Sequence, residues 1–241
     1  MAGALAGATA AIVLLLTIGL LPGALLLAAL APAGYALAAA TAARASGALT
    51  RGLLVGLNAG ANAVLASALF GPVAGVALGA IDFLAAFDPL ARRSAYQTLL
   101  GWTSWLQPLS WPATGAGILF ALVNALYTAG EQIRPRGRAI RRLSLDWPTG
   151  TIIVEGGLLF PRGYGGGYNL GNFVFLTAGW RHILAHETGH TLNVAAFGSL
   201  FHYVGAIDEN FIQACHADAY AERIADSHAP DAAGRTIRMW G

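Results

Sequence analysis

Lysine is missing from this chain altogether; all fourteen of its basic residues are arginine. Charge of either sign is scarce, at 11% of 241 residues, against about a quarter in a typical soluble domain. Residues 1–43, 52–81 and 111–130 carry no charged side chain. Uncharged apolar runs of about 20 residues read as membrane helices and exclude an ordinary water-soluble composition. The first run has no basic start, so a retained span is expected there and not a cleaved signal peptide. A single cysteine, Cys215, excludes an internal disulfide and fits a reducing compartment. The Gly-rich stretch 161–172 lacks both lysine and P-loop spacing, which excludes a phosphate cradle of that kind.

Segments 2–21 and 24–43 each have the length of one span, with Leu21-Pro22-Gly23 as the expected turn between them, or as a Pro kink in a single tilted helix. Residues 52–70 and 112–130 are two further expected spans, and 73–87 is a shorter one carrying Asp82. An acid at that depth is expected near an end or facing other helices. Tyr96 to Trp111, with Trp102 and Trp105, is expected to lie along the interface. Arg134, Arg136, Arg138, Arg141 and Arg142 crowd one short stretch after the last span. Such a cluster marks the cytoplasmic side. It lacks the aromatic interleaving of a nucleic-acid surface, and no nucleic acid is expected as a partner.

From about residue 131 the chain changes character. Residues 143–146 and 151–154, separated by Trp147-Pro148-Thr149-Gly150, read as strand, turn, strand, and Phe173–Leu176 as one more strand. A helix is expected from Thr177 towards Gly198, and another from 210 to 227. The expected fold is therefore a membrane α-helical bundle of four to six membrane segments over 1–130, followed by a small α+β domain over 131–241.

The first of these helices holds His186-Glu187-Thr188-Gly189-His190. Positions i and i+4 share one helix face, so His186 and His190 can grip one metal ion, with Glu187 beside them as the base for a metal-bound water. A catalytic zinc takes three protein ligands and leaves a fourth position open. His182 is one turn too far along a straight helix to join both histidines. Asp218, Glu222 and Asp226 follow at four-residue spacing on one face of the next expected helix. Glu222 is the better third ligand; an acid one turn on can accept the second ring N–H of a ligand histidine.

H-E-x-x-H followed by Glu222-Arg223-Ile224-Ala225-Asp226 resembles the gluzincin metallopeptidases, and its E-x-x-A-D form is similar to that of the membrane zinc peptidases related to the heat-shock membrane protease and the CAAX-processing protease. The resemblance implies a zincin-like domain with Zn2+ as cofactor, His186, His190 and Glu222 as its ligands, Asp226 orienting a ligand histidine, and Glu187 as general base. The stretch from Asn169 to Asn210 is also similar to uncharacterised bacterial membrane proteins with an H-E-x-G-H-T element. The heat-shock arrangement of hydrophobic residues before the motif is absent here, as are the aspartate elements of site-2 proteases.

The expected function is a membrane-embedded zinc peptidase acting on a protein or peptide substrate, with the strand Phe173–Leu176 as a candidate edge for it. The alternative is a non-catalytic subunit of a larger membrane complex that retains a zincin-like fold. Either is expected as a multi-pass protein in the lipid bilayer of a bacterial inner membrane, with its C-terminal domain in the cytoplasm.

Overall fold

The computed structural model describes residues 2–40, 48–131, 139–158, 166–208, 221, 222 and 225. Four helices come first: α1 (Ala2–Ile18), α2 (Leu20–Ala40), α3 (Ala48–Phe70) and α4 (Pro72–Leu84). The short α5 (Asp88–Ala91), α6 (Ser94–Thr103), a 3-10 turn at Pro108–Ser110 and α7 (Trp111–Glu131) follow. By length and composition, Arg51–Phe70 and Pro108–Glu131 can each cross a membrane, and Ala2–Ile18, Leu20–Leu30 and Pro72–Leu84 are shorter apolar helices. This supports a membrane-associated protein with a small mixed-sheet region after its helices.

The break between the first two helices falls at Gly19, not at Leu21-Pro22-Gly23. Gly19 takes a positive φ of 95°, which only glycine adopts freely. Pro22 then sits in the first turn of α2, where its missing N–H costs nothing. Small residues pack these helices. An added Cβ at Gly56 would lie 2.6 Å from the Ala4 carbonyl oxygen, and one at Gly7 would lie 2.5 Å from that of Leu53. The backbones of α1 and α3 therefore approach as only glycine and alanine allow.

Asp82 faces other helices, as one of the two expected placements has it. Asn62 Nδ2 donates to its Oδ2 at 2.6 Å, and Gln107 Nε2 donates to Oδ1. Tyr96 to Trp111 does not simply lie along an interface. Tyr96, Leu100, Ser104, Gln107 and Ser110 are buried in the protein, because this segment carries the side chains that satisfy Asp82 and the sheet.

Strands β1 (Ile140–Asp146), β2 (Thr151–Gly156), β3 (Gly167–Leu170) and β4 (Phe173–Leu176) form one sheet in the order β1-β2-β4-β3. β2 and β4 are parallel; the other two pairs are antiparallel. The strand expected to offer a free edge, Phe173–Leu176, is thus paired on both sides and fully buried. β3, inside the Gly-rich stretch 161–172, lies at one edge of the sheet instead. Its Gly-Tyr-Asn-Leu sequence does alternate, with Tyr168 and Leu170 on one face, but four residues among glycines are too few to signal a strand. Asn172, in the β3–β4 turn, ties the sheet to the helices: its Nδ2 reaches Ser104 Oγ at 2.6 Å, and its Oδ1 accepts from Thr114 Oγ1 at 2.8 Å.

A 3-10 turn at Arg181–Ile183 leads into α8 (Leu184–Phe197), and α9 (Ser199–Ile207) follows. α8 begins seven residues later than Thr177, and Gly198, with φ 83°, ends it as expected. Of the expected helix over 210–227, the described residues are 221, 222 and 225.

Candidate metal centre

α8 is buried from Glu187 to Phe197. Leu192, Ala195, Ala196 and Phe197 share a core with Leu54 and Val55 of α3, Tyr96 and Leu100 of α6, and Ala221. On its other side, Ile183 and Leu184 pack on Ile153, Val174 and Leu176 of the sheet. Thr191 supplies the polar join. Its hydroxyl donates to Gly171 O at 2.8 Å and accepts from Thr151 Oγ1 at 3.0 Å and Asn169 Nδ2 at 2.9 Å. The motif helix is held between the helices and the sheet.

His186 and His190 present their rings side by side, with centroids 4.8 Å apart and planes at 89°. Their Nε2 atoms are 3.3 Å apart. Glu222 completes the cluster, with Oε2 3.1 Å from His186 Nε2 and Oε1 3.4 Å from His190 Nε2. Ligands bound tetrahedrally at zinc distances of about 2.0–2.1 Å stand roughly 3.3 Å from one another. The three side chains already hold that spacing, and two imidazoles with one carboxylate are a donor set zinc favours. These residues fit a zinc ion. Burial alone would raise the Glu222 carboxyl, but the His190 and His186 imidazoles beside it hold it well below the ordinary carboxylate range. It stays ionised, as a ligand must.

Two contacts fix Glu222 against the motif. Asn193 Nδ2 donates to the carbonyl of Ala221 at 3.1 Å. An added Cβ at Gly189 would fall 2.4 Å from the carbonyl oxygen of Ala225. The glycine inside the motif therefore lets the segment bearing Glu222 come into backbone contact with α8. Neither role was legible in the sequence, although a glycine and a buried asparagine on an otherwise apolar helix face are signals of close approach.

Glu187 is 5% exposed. Its side chain lies over β3, where a Cβ at Gly167 would be 3.0 Å from Oε1. With Gly167, Tyr168, Asn169, His202, Ala206, Ala221 and the three-residue cluster, it lines a cavity of about 160 Å³. Asn169 connects strand and motif: its Nδ2 also contacts Glu187 O at 3.2 Å and Gly171 O at 3.0 Å. His202 Nε2 lies 3.0 Å from Asn169 O. Burial, followed by the nearby His190, lowers the His202 pKa to about 4. The ring is neutral at pH 7 and donates Nε2–H to that carbonyl.

Asp226 lies outside the described residues, as do His216 and His228. His190 Nδ1 is buried without a hydrogen-bond partner among the described residues, which is where an orienting acceptor would act. His182 does not join the cluster; its ring stands 5.0 Å from that of Trp180. Arg181 pairs with Glu155.

Comparison of the chain with protein-family models, with curated proteins and with solved structures finds no match. The geometry defines the class: a metalloprotease-like architecture in which His186, His190 and Glu222 can together hold a metal ion.

Proposed function

We propose that this chain is a membrane-associated zinc-dependent peptidase of gluzincin type. The observation that carries the reading is the convergence of His186, His190 and Glu222 within 4.8 Å of one another, in a cavity also lined by Glu187. His186 Nε2, His190 Nε2 and a Glu222 oxygen are the proposed zinc ligands. Zinc, when bound at such a site, lowers the pKa of its water to about 7 and polarises the substrate carbonyl. Glu187 is the proposed general base: its carboxylate takes the proton of the attacking water and returns it to the leaving amine. Asp226 is the proposed acceptor for a ligand imidazole N–H. β3 borders the cavity and pairs on one side only among the described residues, so an extended peptide would add there. His202 already takes Asn169 O on that strand, so a substrate would pair along the rest of its edge.

One observation favours a second reading, a non-catalytic metal-holding subunit of a membrane complex. The cavity, at about 160 Å³, is smaller than the roughly 300–1,000 Å³ of common ligand pockets.

Zinc content of the purified chain tests both readings, with Glu222→Ala and Glu187→Gln beside the wild type. The expected result is one zinc per chain, lost in Glu222→Ala and kept in Glu187→Gln. Hydrolysis of a quenched fluorescent peptide library should fall at least about 10²-fold in Glu187→Gln. Zinc without hydrolysis in the wild type selects the second reading. No zinc in protein purified without chelators rejects both.

A further inference from the structure

α7 has the length and hydropathy to cross a bilayer, but the sheet is docked along it. Thr114 Oγ1 donates to Asn172 Oδ1 at 2.8 Å. A Cβ at Gly117 would lie 2.5 Å from Leu170 O. The rings of Phe120 and Phe175 are 6.3 Å apart. Asn124 Oδ1 accepts from Leu158 N at 2.7 Å, and Thr128 Oγ1 from Ile140 N at 2.8 Å. These contacts run from Thr114 to Thr128, about 21 Å of helix axis at 1.5 Å per residue. The hydrocarbon core is about 30 Å thick. Were α7 to cross it, the sheet would enter with it, bringing β1, unpaired on its outer side among the described residues, and its Arg141, Arg142 and Asp146. Open sheet edges do not occur in hydrocarbon, where no water satisfies their N–H and C=O groups.

The opposite face of α7 is wholly apolar and exposed: Ile118, Leu119, Leu122, Val123 and Leu126, the last 75% exposed. β1 extends this patch. Leu143 and Leu145 pair with Val154 and Ile152, and those two pack in the core that includes Phe120 of α7. Leu143 and Leu145 therefore point to the α7 side of the sheet, and both are exposed. Trp147, also exposed, stands 4.8 Å from the ring of Trp102.

We propose that α7 lies along the surface of an anionic phospholipid bilayer and does not cross it. Its outward stripe, with Leu143 and Leu145, enters the boundary between headgroups and acyl chains. Trp147 and Trp102 sit at headgroup level. Arg141, exposed at the bulged start of β1, meets lipid phosphates, while Arg142 pairs in register with Glu155 and points to the other face of the sheet. The sheet keeps its polar edge on the water side.

The test uses the full chain reconstituted in vesicles of phosphatidylcholine and phosphatidylglycerol. Nitroxide labels are placed one at a time at Gly115→Cys, Leu119→Cys, Leu122→Cys, Leu126→Cys and Gly130→Cys, with Cys215 replaced by Ser. These five positions share one helix face. Gly115 and Gly130 have nothing within 4 Å of an added Cβ, so labels there leave the packing intact. Relative collision rates with oxygen and a water-soluble nickel complex give each label's depth. The expected result is one shallow depth for all five. A depth that rises and falls along the roughly 22 Å from 115 to 130 would mean that α7 crosses, and would overturn the proposal. Labels shielded from both reagents would mean that protein, a second copy or a partner, covers this face, and would overturn it equally.

Discussion

Gly189→Ala separates the metal-centre geometry from the motif that carries it. The substitution leaves both histidines and both glutamates in place. It also favours α8 itself, since alanine is better than glycine in a helix interior by about 1 kcal/mol. The new Cβ, however, would meet the Ala225 carbonyl oxygen at 2.4 Å and its Cα at 3.1 Å. Both are backbone atoms, with no flexible side chain to turn aside. Ordinary contact begins at 3.4 Å, so the segment carrying Glu222 must retreat by roughly 1 Å, an estimate that assumes α8 stays fixed in its close-packed setting. Asn193 holds Ala221 at the same time, so the segment tilts about that anchor and draws the carboxylate off the histidines. Displaced supporting contacts weaken metal sites by about 10–100-fold, and that is the expected loss of zinc affinity. Competition with a chromophoric chelator measures it, and circular dichroism checks that the helices persist. Gly130→Ala is the control, as its Cβ meets nothing. Wild-type zinc affinity in folded Gly189→Ala would refute the claim that this contact sets the ligand distance.

Other expected outcomes follow from the same contacts. Asn172→Ala should lower stability by about 2–3 kcal/mol in thermal or denaturant unfolding, because Ser104 Oγ and Thr114 Oγ1 lose a fully buried partner. His202 has its folded pKa lowered to about 4 from an ordinary 6.5. The unfolded chain therefore binds more protons between those values, and the stability of metal-free protein should fall as pH drops from 6.5 towards 4. His202→Asn should flatten that part of the pH–stability profile; an unchanged slope would mean that other groups carry it.

The convergence of His186 and His190 was legible because an i, i+4 spacing has one geometric meaning on a helix. Glu222 was legible as a periodic acid on the next helix. The strand order was not: nothing in Phe173–Leu176 says whether it lies at an edge or between neighbours. Its insertion between β2 and β3 depends on the β3–β4 turn docking through Asn172. Asn169 was invisible for the same reason, since its reach to Glu187 O and Thr191 exists only once the sheet lies against α8. The break at Gly19 was misread because Pro22 and Gly23, three and four residues on, gave the stronger turn signal. The run 111–130 was legible as an apolar helix of spanning length; the sheet docked along it was not, because composition does not show which face of a helix a neighbour takes.

Asp82 lies far from His186, His190 and Glu222 in sequence, yet it limits how accurately they can be placed. Helices packed through glycine and alanine have little surface relief, and four residues of slip would present another small residue to the same groove. Such a slip of α4 along α3 moves Asp82 by about 6 Å and strips it of Asn62. Gln107, its other partner, accepts from Ser110 Oγ at 3.2 Å, and that hydroxyl also reaches the Val194 carbonyl of α8 at 3.3 Å. One buried carboxylate thus acts as a dowel through a smooth stack, and the motif helix takes its height from it.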